Sequence, residues 1–374
     1  MTKVCHMTSA HGAEDVRVFH KECVSLAKAG YEVYLVERGE SYEKNGVHIV
    51  GVGDLPTSRR KRMTEGANKV YEKARDLDAD VYHFHDPELL PYGLKLKRAG
   101  KKVIFDSHER YTLQLRDKPY LPKWITMPLS WFYGLYEKHV LHSIDGVVFP
   151  CMMEGKDPFD GACRHSAIIS NAALLSEFYD HYDPEAEKNK NQVCYIGSLT
   201  RARGVSQAMW AAEKANVTLA LGGIFDSKAF EEQVRSDPAF SCVDYRGFLN
   251  REEVRKLAAE SMIGISALLD EGQYLRTDNL SVKVYEYLSM GLPVILTRGL
   301  YNNKVVDQWK FGICVDPMDT DEYASAIRFL LDHPGEARQM GENGRRAIKE
   351  EFNWGVEEKK LLALYKDIIE ENER

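Results

Sequence analysis

The sequence lacks the features of secreted, membrane-spanning and nucleic-acid-binding proteins. No segment approaches the roughly 20 apolar residues that cross a bilayer, and the opening MTKVCHMTSAHG has no apolar signal-peptide core. The seven cysteines form no CxxC pair and are odd in number, which favours a reducing compartment. The net charge of −7 arises entirely in residues 183–374, so there is no basic field for nucleic acid. We therefore expect a cytoplasmic protein.

What the sequence does contain is the rhythm of a large α/β protein. Apolar runs typical of buried strands (KVCHMT, YEVYLVE, DVYHFHD) alternate with helical patterns, and a second such series begins at QVCYIGSL. This alternation predicts parallel sheets built from βαβ units. The charged stretch 181–192 interrupts the series, and we interpret it as an interdomain linker.

The predicted architecture is two tandem doubly wound, Rossmann-like domains that face each other across a cleft. The first domain covers residues 1–182 and the second covers residues 183–352. The last helix, within residues 353–374, offers Leu361, Leu364, Tyr365 and Ile368 for burial. We expect this helix to cross back and pack against the first domain.

Residues that directly follow the predicted strands are the site candidates, because ligands of parallel sheets bind outside the carboxyl ends of strands. In the first domain these are Ser9, His11, Gly12, His85, Asp86, Asp106, Ser107, His108 and Glu109. In the second domain they are Gly197, Ser198, Arg201, Arg203, Gly222, Gly223 and Gly247. Such convergence of polar residues from many strands is typical of an enzyme cleft.

Seven motifs in order then point to one family. The second domain carries YIGSLTRARGV, LALGG, YRGFLNREEV and DNLSVKVYEYLSMGLPVI, and it resembles the donor-binding domain of retaining family-4 glycosyltransferases of the GT-B architecture. The first domain carries SAHGAEDVRVFHKECVSLAKAGYEV, VYHFHDPELL and VIFDSHE, and it resembles the acceptor domain of a bacterial, cell-surface-polysaccharide branch. The resemblance implies a nucleotide-diphosphate sugar donor, with UDP favoured over GDP. It also implies a saccharide or lipid-linked acceptor, and it implies neither a cofactor nor a metal.

Two arginines follow the first strand of the second domain. A guanidinium can hold two phosphate oxygens at once, so Arg203 is assigned to the diphosphate as a catalytic residue. The family more often has Arg at the position of Ser198 and Lys at that of Arg203, and Arg201 is the candidate to replace the missing contact at Ser198. A surface arginine pair beside a helix is the alternative.

An acidic pair with the family spacing follows, although the first residue is aspartate here. The resemblance assigns Glu286 to the ribose hydroxyls and Asp278 to the donor sugar or to positive charge at its anomeric carbon. A helix that begins near Ser281 would direct free amides at a phosphate, and Lys283 would face the same group. Solvated surface carboxylates are the alternative for both acids.

Histidines mark the first domain. His108 matches the family histidine that faces the donor sugar, with a strand-end histidine in the core as the alternative. His83 and His85 lie two apart on a strand, so they share a face as zinc ligands often do. No HExxH or comparable partner completes such a set, and the sequence therefore predicts no metal site.

Three residues after the first strand are candidates for the acceptor side of the site. His11, Asp15 and Arg17 are assigned to the acceptor side or to the hinge of the cleft. A helix start capped by Asp15 is the alternative.

Two segments of the first domain depart from the βα rhythm. The basic run 59–62 (RRKR) and the stretch 118–133, which carries Trp124, Trp131 and Phe132, indicate peripheral contact with an anionic membrane. An exposed loop and an ordinary packed helix are the alternative.

Two other functions fit the same motifs. A sugar-nucleotide epimerase would bind the same donor and transfer nothing. A non-catalytic sugar-nucleotide-binding subunit would tolerate the altered positions Ser198 and Asp278.

Overall fold

The computed structural model describes residues 1–12, 14–116, 122–271 and 274–371, without the side chain of Arg59. The chain forms two compact units. Unit 1 comprises Met1–Asn171 and the chain from Gly355 onward, and unit 2 comprises Ala172–Trp354. In the described part of the chain, no helix combines the length and apolar character needed to span a membrane.

Unit 1 is built on an eight-stranded sheet. Its strands are β1 (Lys3–Met7), β2 (Glu32–Glu37), β3 (Tyr42–Lys44), β4 (Val47–Gly51), β5 (Val81–Phe84), β6 (Lys102–Asp106), β7 (Gly146–Phe149) and β9 (His165–Ile168), and a two-residue strand β8 (Met152–Met153) follows β7 in the chain. The sheet order is β3-β4-β2-β1-β5-β6-β7-β9, and only the β3–β4 pair is antiparallel. β5 and β7 are buried along their whole length, as expected for strands covered on both faces.

Helices cover the sheet of unit 1. They are α1 (Val24–Lys28), α2 (Arg59–Lys61), α3 (Ala67–Arg75), α4 (Leu90–Arg98), α5 (Tyr111–Arg116), α6 (Lys123–Leu141) and α14 (Trp354–Glu370). π-helical turns at Val16–Cys23 and Arg62–Gly66 precede α1 and α3. Leu361, Tyr365 and Ile368 of α14 are buried, and an added Cβ on Gly146 in β7 would lie 2.7 Å from Ile368 Cδ1. The C-terminal helix therefore belongs to unit 1 although it follows unit 2 in the chain.

Unit 2 repeats the plan with a six-stranded parallel sheet. Its strands are β10 (Gln192–Ile196), β11 (Thr218–Gly222), β12 (Val243–Gly247), β13 (Ile263–Ser266), β15 (Val294–Thr297) and β16 (Gly312–Val315), and a two-residue strand β14 (Thr277–Asp278) lies outside the sheet. Its helices are α7 (Val205–Lys214), α8 (Lys228–Ser236), α9 (Arg251–Glu260), α10 (Val282–Ser289), α11 (Leu300–Trp309), α12 (Thr320–Asp332) and α13 (Pro334–Glu350). The sheet order is β12-β11-β10-β13-β15-β16. The predicted pair of doubly wound domains is confirmed.

The boundary between the units falls at residue 171, eleven residues before the predicted one at 182. The intervening residues belong to unit 2 because Phe178 is buried in its core and the backbone of Ala173 forms hydrogen bonds with the last residues of the unit. The Ala173 N–H donates to Phe352 O at 3.1 Å, and the Trp354 N–H donates to Ala173 O at 2.7 Å.

The strand order fixes where each unit can hold a ligand. β1 lies between β2 and β5, and β10 lies between β11 and β13, so the chain winds outward in both directions from each of these strands. Crevices of doubly wound sheets lie at such switch points. The loops after β1 and β10, which carry many of the predicted site residues, occupy these positions.

Candidate functional site

Three glycine turns pack together at the strand ends of unit 2. Gly197 follows β10 with φ 134° and Gly223 follows β11 with φ 144°, a region that other residues rarely adopt. An added Cβ on Gly223 would lie 1.8 Å from the carbonyl oxygen of Gly197, and the Gly223 N–H donates to Gly247 O at 2.7 Å. These glycines let backbone, rather than side chains, line the switch point.

Two cationic side chains lie beside Gly197. An added Cβ there would lie 3.5 Å from Lys283 Nζ and 3.9 Å from Arg203 Nη1. Arg203 ends a short 3₁₀ turn, which is capped by Thr200 accepting from the Arg203 N–H at 3.3 Å. The next residue, Gly204, approaches Ala267 O so closely that any Cβ would clash at 1.8 Å. The turn therefore holds Arg203 next to Lys283.

Lys283 is a buried cation without a counter-ion at hydrogen-bond distance. Its Nζ has no hydrogen-bond partner among the described residues and lies 3.5 Å from the ring centroid of Tyr195. Burial, and then the charge of Arg203, lower the pKa of Lys283 well below its usual value. A buried amine of this kind is costly without a ligand, so its position favours an anion beside Gly197.

Glu286 lies one turn further along α10 in a salt-bridge network. Arg251 donates to Glu286 Oε1 at 2.7 Å and to Glu177 Oε2 at 2.8 Å, and its guanidinium lies 4.6 Å from the ring centroid of Phe178. Burial raises the pKa of Glu286 above its usual value. Sequence reasoning missed Arg251 and Glu177, although Arg251 stands in the motif YRGFLNREEV directly after the helix cap Asn250.

The remaining predicted residues of unit 2 are less closely grouped. Ser281 caps α10 with an extended backbone, and its Oγ lies 3.1 Å from Ser266 Oγ. Ser198 is exposed, and Asp278 lies half-buried in β14. Arg201 is 82% exposed, with its Nε 3.8 Å from Glu271, and it borders a separate cavity of about 430 Å³. The assignment of Arg201 to the diphosphate in place of an arginine at position 198 stays a prediction.

In unit 1 the loop after β1 is fastened to the end of β5. Asp86 Oδ2 accepts hydrogen bonds from the Thr8 hydroxyl at 2.9 Å and from the N–H groups of Ser9 at 2.6 Å and Ala10 at 3.2 Å. His11 Nε2 lies 3.7 Å from Asp86. The first switch point is thus a preformed loop.

The side chain of His11 is partly exposed. Its Nδ1 lies 3.4 Å from Asp15 Oδ2. Burial alone would lower the pKa of His11, but the hydrogen bond to Asp15 and the charge of Asp86 raise it overall. Asp15 also accepts from the N–H groups of Arg17 at 2.8 Å and Val18 at 3.0 Å, so it caps the helical segment, as the alternative interpretation held.

Arg17 and His85 are buried rather than presented to a ligand. Arg17 donates to both oxygens of Asp106 at 2.8 and 3.1 Å and to Ile169 O at 3.0 Å. His85 Nδ1 lies 3.2 Å from His108 Nε2 and 3.4 Å from Asp106 Oδ2, and burial lowers the pKa of His85 to about 4. We interpret both as positioning residues, with the partly exposed His108 as the group that can meet a substrate.

Comparison with known proteins identifies the class to which this fold and site belong. The model for glycosyl transferases group 1 matches residues 180–347, and the model for glycosyltransferase family 4 matches residues 16–157. The chain is a glycosyltransferase with the GT-B fold, and it belongs to the family-4 glycosyltransferases.

Curated relatives are similar over much of the chain. An MMP alpha-(1->4)-mannosyltransferase from Mycolicibacterium hassiacum is 26% identical over 78% of this chain and 71% of its own length. An alpha-D-kanosaminyltransferase from Streptomyces kanamyceticus is 22% identical over 53% of each protein.

Solved structures share the fold at lower identity. A sucrose-phosphate synthase from Thermosynechococcus elongatus superimposes with a TM-score of 0.76 at 17% identity and 99% coverage of both chains. Anabaena HepE, solved with UDP and glucose, superimposes with a TM-score of 0.73 at 11% identity, covering 98% of this chain and all of the other.

Proposed function

We propose that this glycosyltransferase retains the anomeric configuration and needs no metal. In this proposal it moves a sugar from a nucleotide-diphosphate sugar to a hydroxyl of a saccharide or lipid-linked acceptor, in the synthesis of cell-surface polysaccharide or lipid-linked oligosaccharide. The observation that carries the proposal is the pair Lys283 and Arg203 beside Gly197. Two fixed cations at a glycine turn suit a diphosphate leaving group without a divalent ion.

The proposed roles follow from position. Arg203 and Lys283 bind the diphosphate, together with N–H groups at the start of α10 after Ser281. Glu286, held by Arg251, accepts hydrogen bonds from the ribose hydroxyls. Asp278 and His108 are assigned to the donor sugar. Gly197 and Gly247 are assigned to contacts between the protein backbone and the donor. Ser198 and Arg201 are further candidates for contacts with the donor.

The reaction balances without a separate base. The bond between the anomeric carbon and the diphosphate oxygen breaks as the acceptor oxygen attacks from the face on which the diphosphate departs. The proton of the acceptor hydroxyl passes to the departing diphosphate. Negative charge develops on the diphosphate as it departs. Arg203 and Lys283 therefore stabilise the transition state more than the ground state.

The donor base and the rival functions can be tested together. The solved structure that contains UDP and glucose supports UDP over GDP. We expect a UDP-sugar to raise the melting temperature more than GDP-, ADP- or dTDP-sugars, because a ligand at 100 times its Kd stabilises the folded state by about 2.7 kcal/mol. Release of nucleotide diphosphate that depends on acceptor would support transfer. An epimerised nucleotide would support the epimerase, and binding without turnover the non-catalytic subunit.

Metal independence gives a second prediction. Turnover should persist at an undiminished rate when EDTA is added to the assay, because Lys283 and Arg203 supply the positive charge that Mg²⁺ or Mn²⁺ would otherwise bring to the diphosphate. The measurement is the initial rate with and without chelator. Complete loss of activity that Mn²⁺ restores would contradict the proposal.

The surface of α6 supports peripheral contact with an anionic membrane, which we propose as part of the function. Trp124 is 76% exposed and Phe132 63%, and the same helix also exposes Met127, Leu129, Trp131, Leu135 and Tyr136. Its exposed charges are the cations Lys123 and Lys138, whereas its one acid, Glu137, is buried. An apolar face that carries cations matches an anionic lipid surface. Residues 118–121 of the predicted segment lie outside the described residues.

The double variant Trp131→Ser/Phe132→Ser should therefore bind phosphatidylglycerol-containing vesicles at least about tenfold more weakly, because each exposed ring contributes apolar area to the interface. Co-sedimentation with vesicles measures this. The matched control is Trp210→Ser, at an exposed tryptophan of unit 2. Unchanged binding by the double variant, or binding equally weak in the control, would remove α6 as the contact surface.

A further inference from the structure

Four buried side chains converge in the core of unit 1. His6 on β1, Glu22 in the π-helical turn, and His83 and His85 on β5 each offer a ligand atom, and these atoms lie within 4.8 Å of one another. His6 Nδ1 is 2.9 Å from His85 Nε2, and Glu22 Oε2 lies 4.0 Å from the first and 3.9 Å from the second. All four residues are buried.

Two polar atoms of this cluster lack a hydrogen bond. Glu22 Oε1 lies 3.1 Å from Arg17 Nε, whereas Glu22 Oε2 and His83 Nε2 have no hydrogen-bond partner among the described residues. Burying a carboxylate and a ring nitrogen in this way is costly, and native structures rarely tolerate it without a bound group. An ionised carboxylate oxygen and an unprotonated ring nitrogen are both electron-pair donors, so a cation would satisfy the two atoms together.

The outer atoms of the four side chains are held in the manner of metal ligands. His83 Nδ1 lies 2.9 Å and His6 Nε2 lies 3.1 Å from the hydroxyl of Tyr365. His85 Nδ1 lies 3.4 Å from Asp106 Oδ2, and Arg17 Nε lies 3.1 Å from Glu22 Oε1. Imidazoles and carboxylates that bind metals have their far atoms fixed by such partners, which turn the near atoms toward the ion.

We propose that His6, Glu22, His83 and His85 bind one divalent transition-metal ion, best matched by Zn²⁺, in the core of unit 1. Three imidazoles and one carboxylate suit a tetrahedral Zn²⁺ and leave no open position, so the ion is structural and not catalytic. At Zn–N distances near 2.1 Å the ligand atoms of a tetrahedral site would stand about 3.4 Å apart, so pairs that now lie up to 4.8 Å apart would close by up to about 1.4 Å.

Sequence reasoning found only half of this set. The HxH spacing marked His83 and His85, whereas His6 and Glu22 come from elements that precede them by about 60 residues or more. Parallel pairing of β1 with β5 places His6 directly opposite His83, which no local motif could show.

The wild-type protein tests the proposal directly. The chain is produced without a metal-affinity tag, dialysed against metal-free buffer and analysed by elemental mass spectrometry, and a second sample is first equilibrated with Zn²⁺ or Co²⁺. We expect about one ion per chain, and for Co²⁺ the visible absorption of a four-coordinate site. Wild-type protein that holds no stoichiometric ion under either condition would overturn the proposal.

Variants locate the ion. Glu22→Gln and His83→Asn each remove one ligand, and both should lose the ion and the rise in melting temperature on adding Zn²⁺. The control His48→Asn, at an exposed histidine of β4, should retain both. A folded Glu22→Gln chain that still binds one Zn²⁺ with wild-type affinity would also overturn the proposal, and if this variant does not fold, the wild-type metal content still decides. A catalytic ion at the diphosphate is distinguished because Glu22→Gln and His83→Asn would not release it.

Discussion

Replacing Lys283 with methionine is expected to lower turnover by roughly 10²–10³-fold, the usual cost of removing one group that stabilises developing negative charge. The same variant should be more stable than the wild type, because methionine fills the site without a buried, unpartnered amine. Steady-state rates and thermal melts on the same preparations measure the two effects. Loss of function together with gain of stability distinguishes a ligand-binding lysine from a core residue.

The stability gain should depend on pH with a definite sign. Burial lowers the pKa of Lys283, so the unfolded chain holds a proton there more tightly than the folded chain does. The resulting penalty on the wild type is largest below the lowered pKa and disappears as the pH rises to the usual lysine value near 10.5. The difference in melting temperature between variant and wild type should therefore shrink as the pH is raised toward 10.

A matched control is available on the same unit. Lys304→Met removes an exposed lysine of α11 and should change neither turnover nor stability appreciably. If Lys283→Met kept full turnover, the anion site beside Gly197 would be refuted. If it were both inactive and unstable, Lys283 would be a packing residue.

The sequence predicted the architecture and the strand-end positions of the site because both follow from local patterns. Apolar runs of strand length alternating with helices specify two doubly wound sheets, and the turn glycines mark where those strands end. Glu286 was assigned through the resemblance to the glycosyltransferase family, and Lys283 through its position one turn before Glu286 on the same helix.

Partners that come from distant segments could not be predicted. Arg251 meets Glu286 from another helix 35 residues away, and Tyr365 meets His83 across 282 residues. The sequence also did not show whether a polar residue faces the substrate or the core. Arg17 lies in the helical segment after the first loop and His85 directly follows β5, yet both side chains are buried.

Removing residues 355–374 is expected to unfold unit 1. The deletion keeps Trp354, which belongs to unit 2, and takes away the buried side chains of Leu361, Leu364, Tyr365 and Ile368. Losing one such side chain typically costs about 2–5 kcal/mol, so four together match or exceed the 5–15 kcal/mol that holds a domain folded. His6 and His83 would also lose the hydroxyl of Tyr365 inside the core.

Limited proteolysis and calorimetry of the truncated chain measure this outcome. Unit 2 should resist protease and keep a melting transition, because α14 contributes little to it beyond Trp354, whereas unit 1 should be digested. The control Lys366→Ala changes the exposed face of the same helix and should leave both units intact. The single change Tyr365→Phe should cost about 1–3 kcal/mol by leaving buried imidazole nitrogens without a partner. If the truncated chain melted like the full-length protein, α14 would not be needed for the folding of unit 1. The buried contacts of Tyr365 would then contribute nothing to the free energy of unfolding.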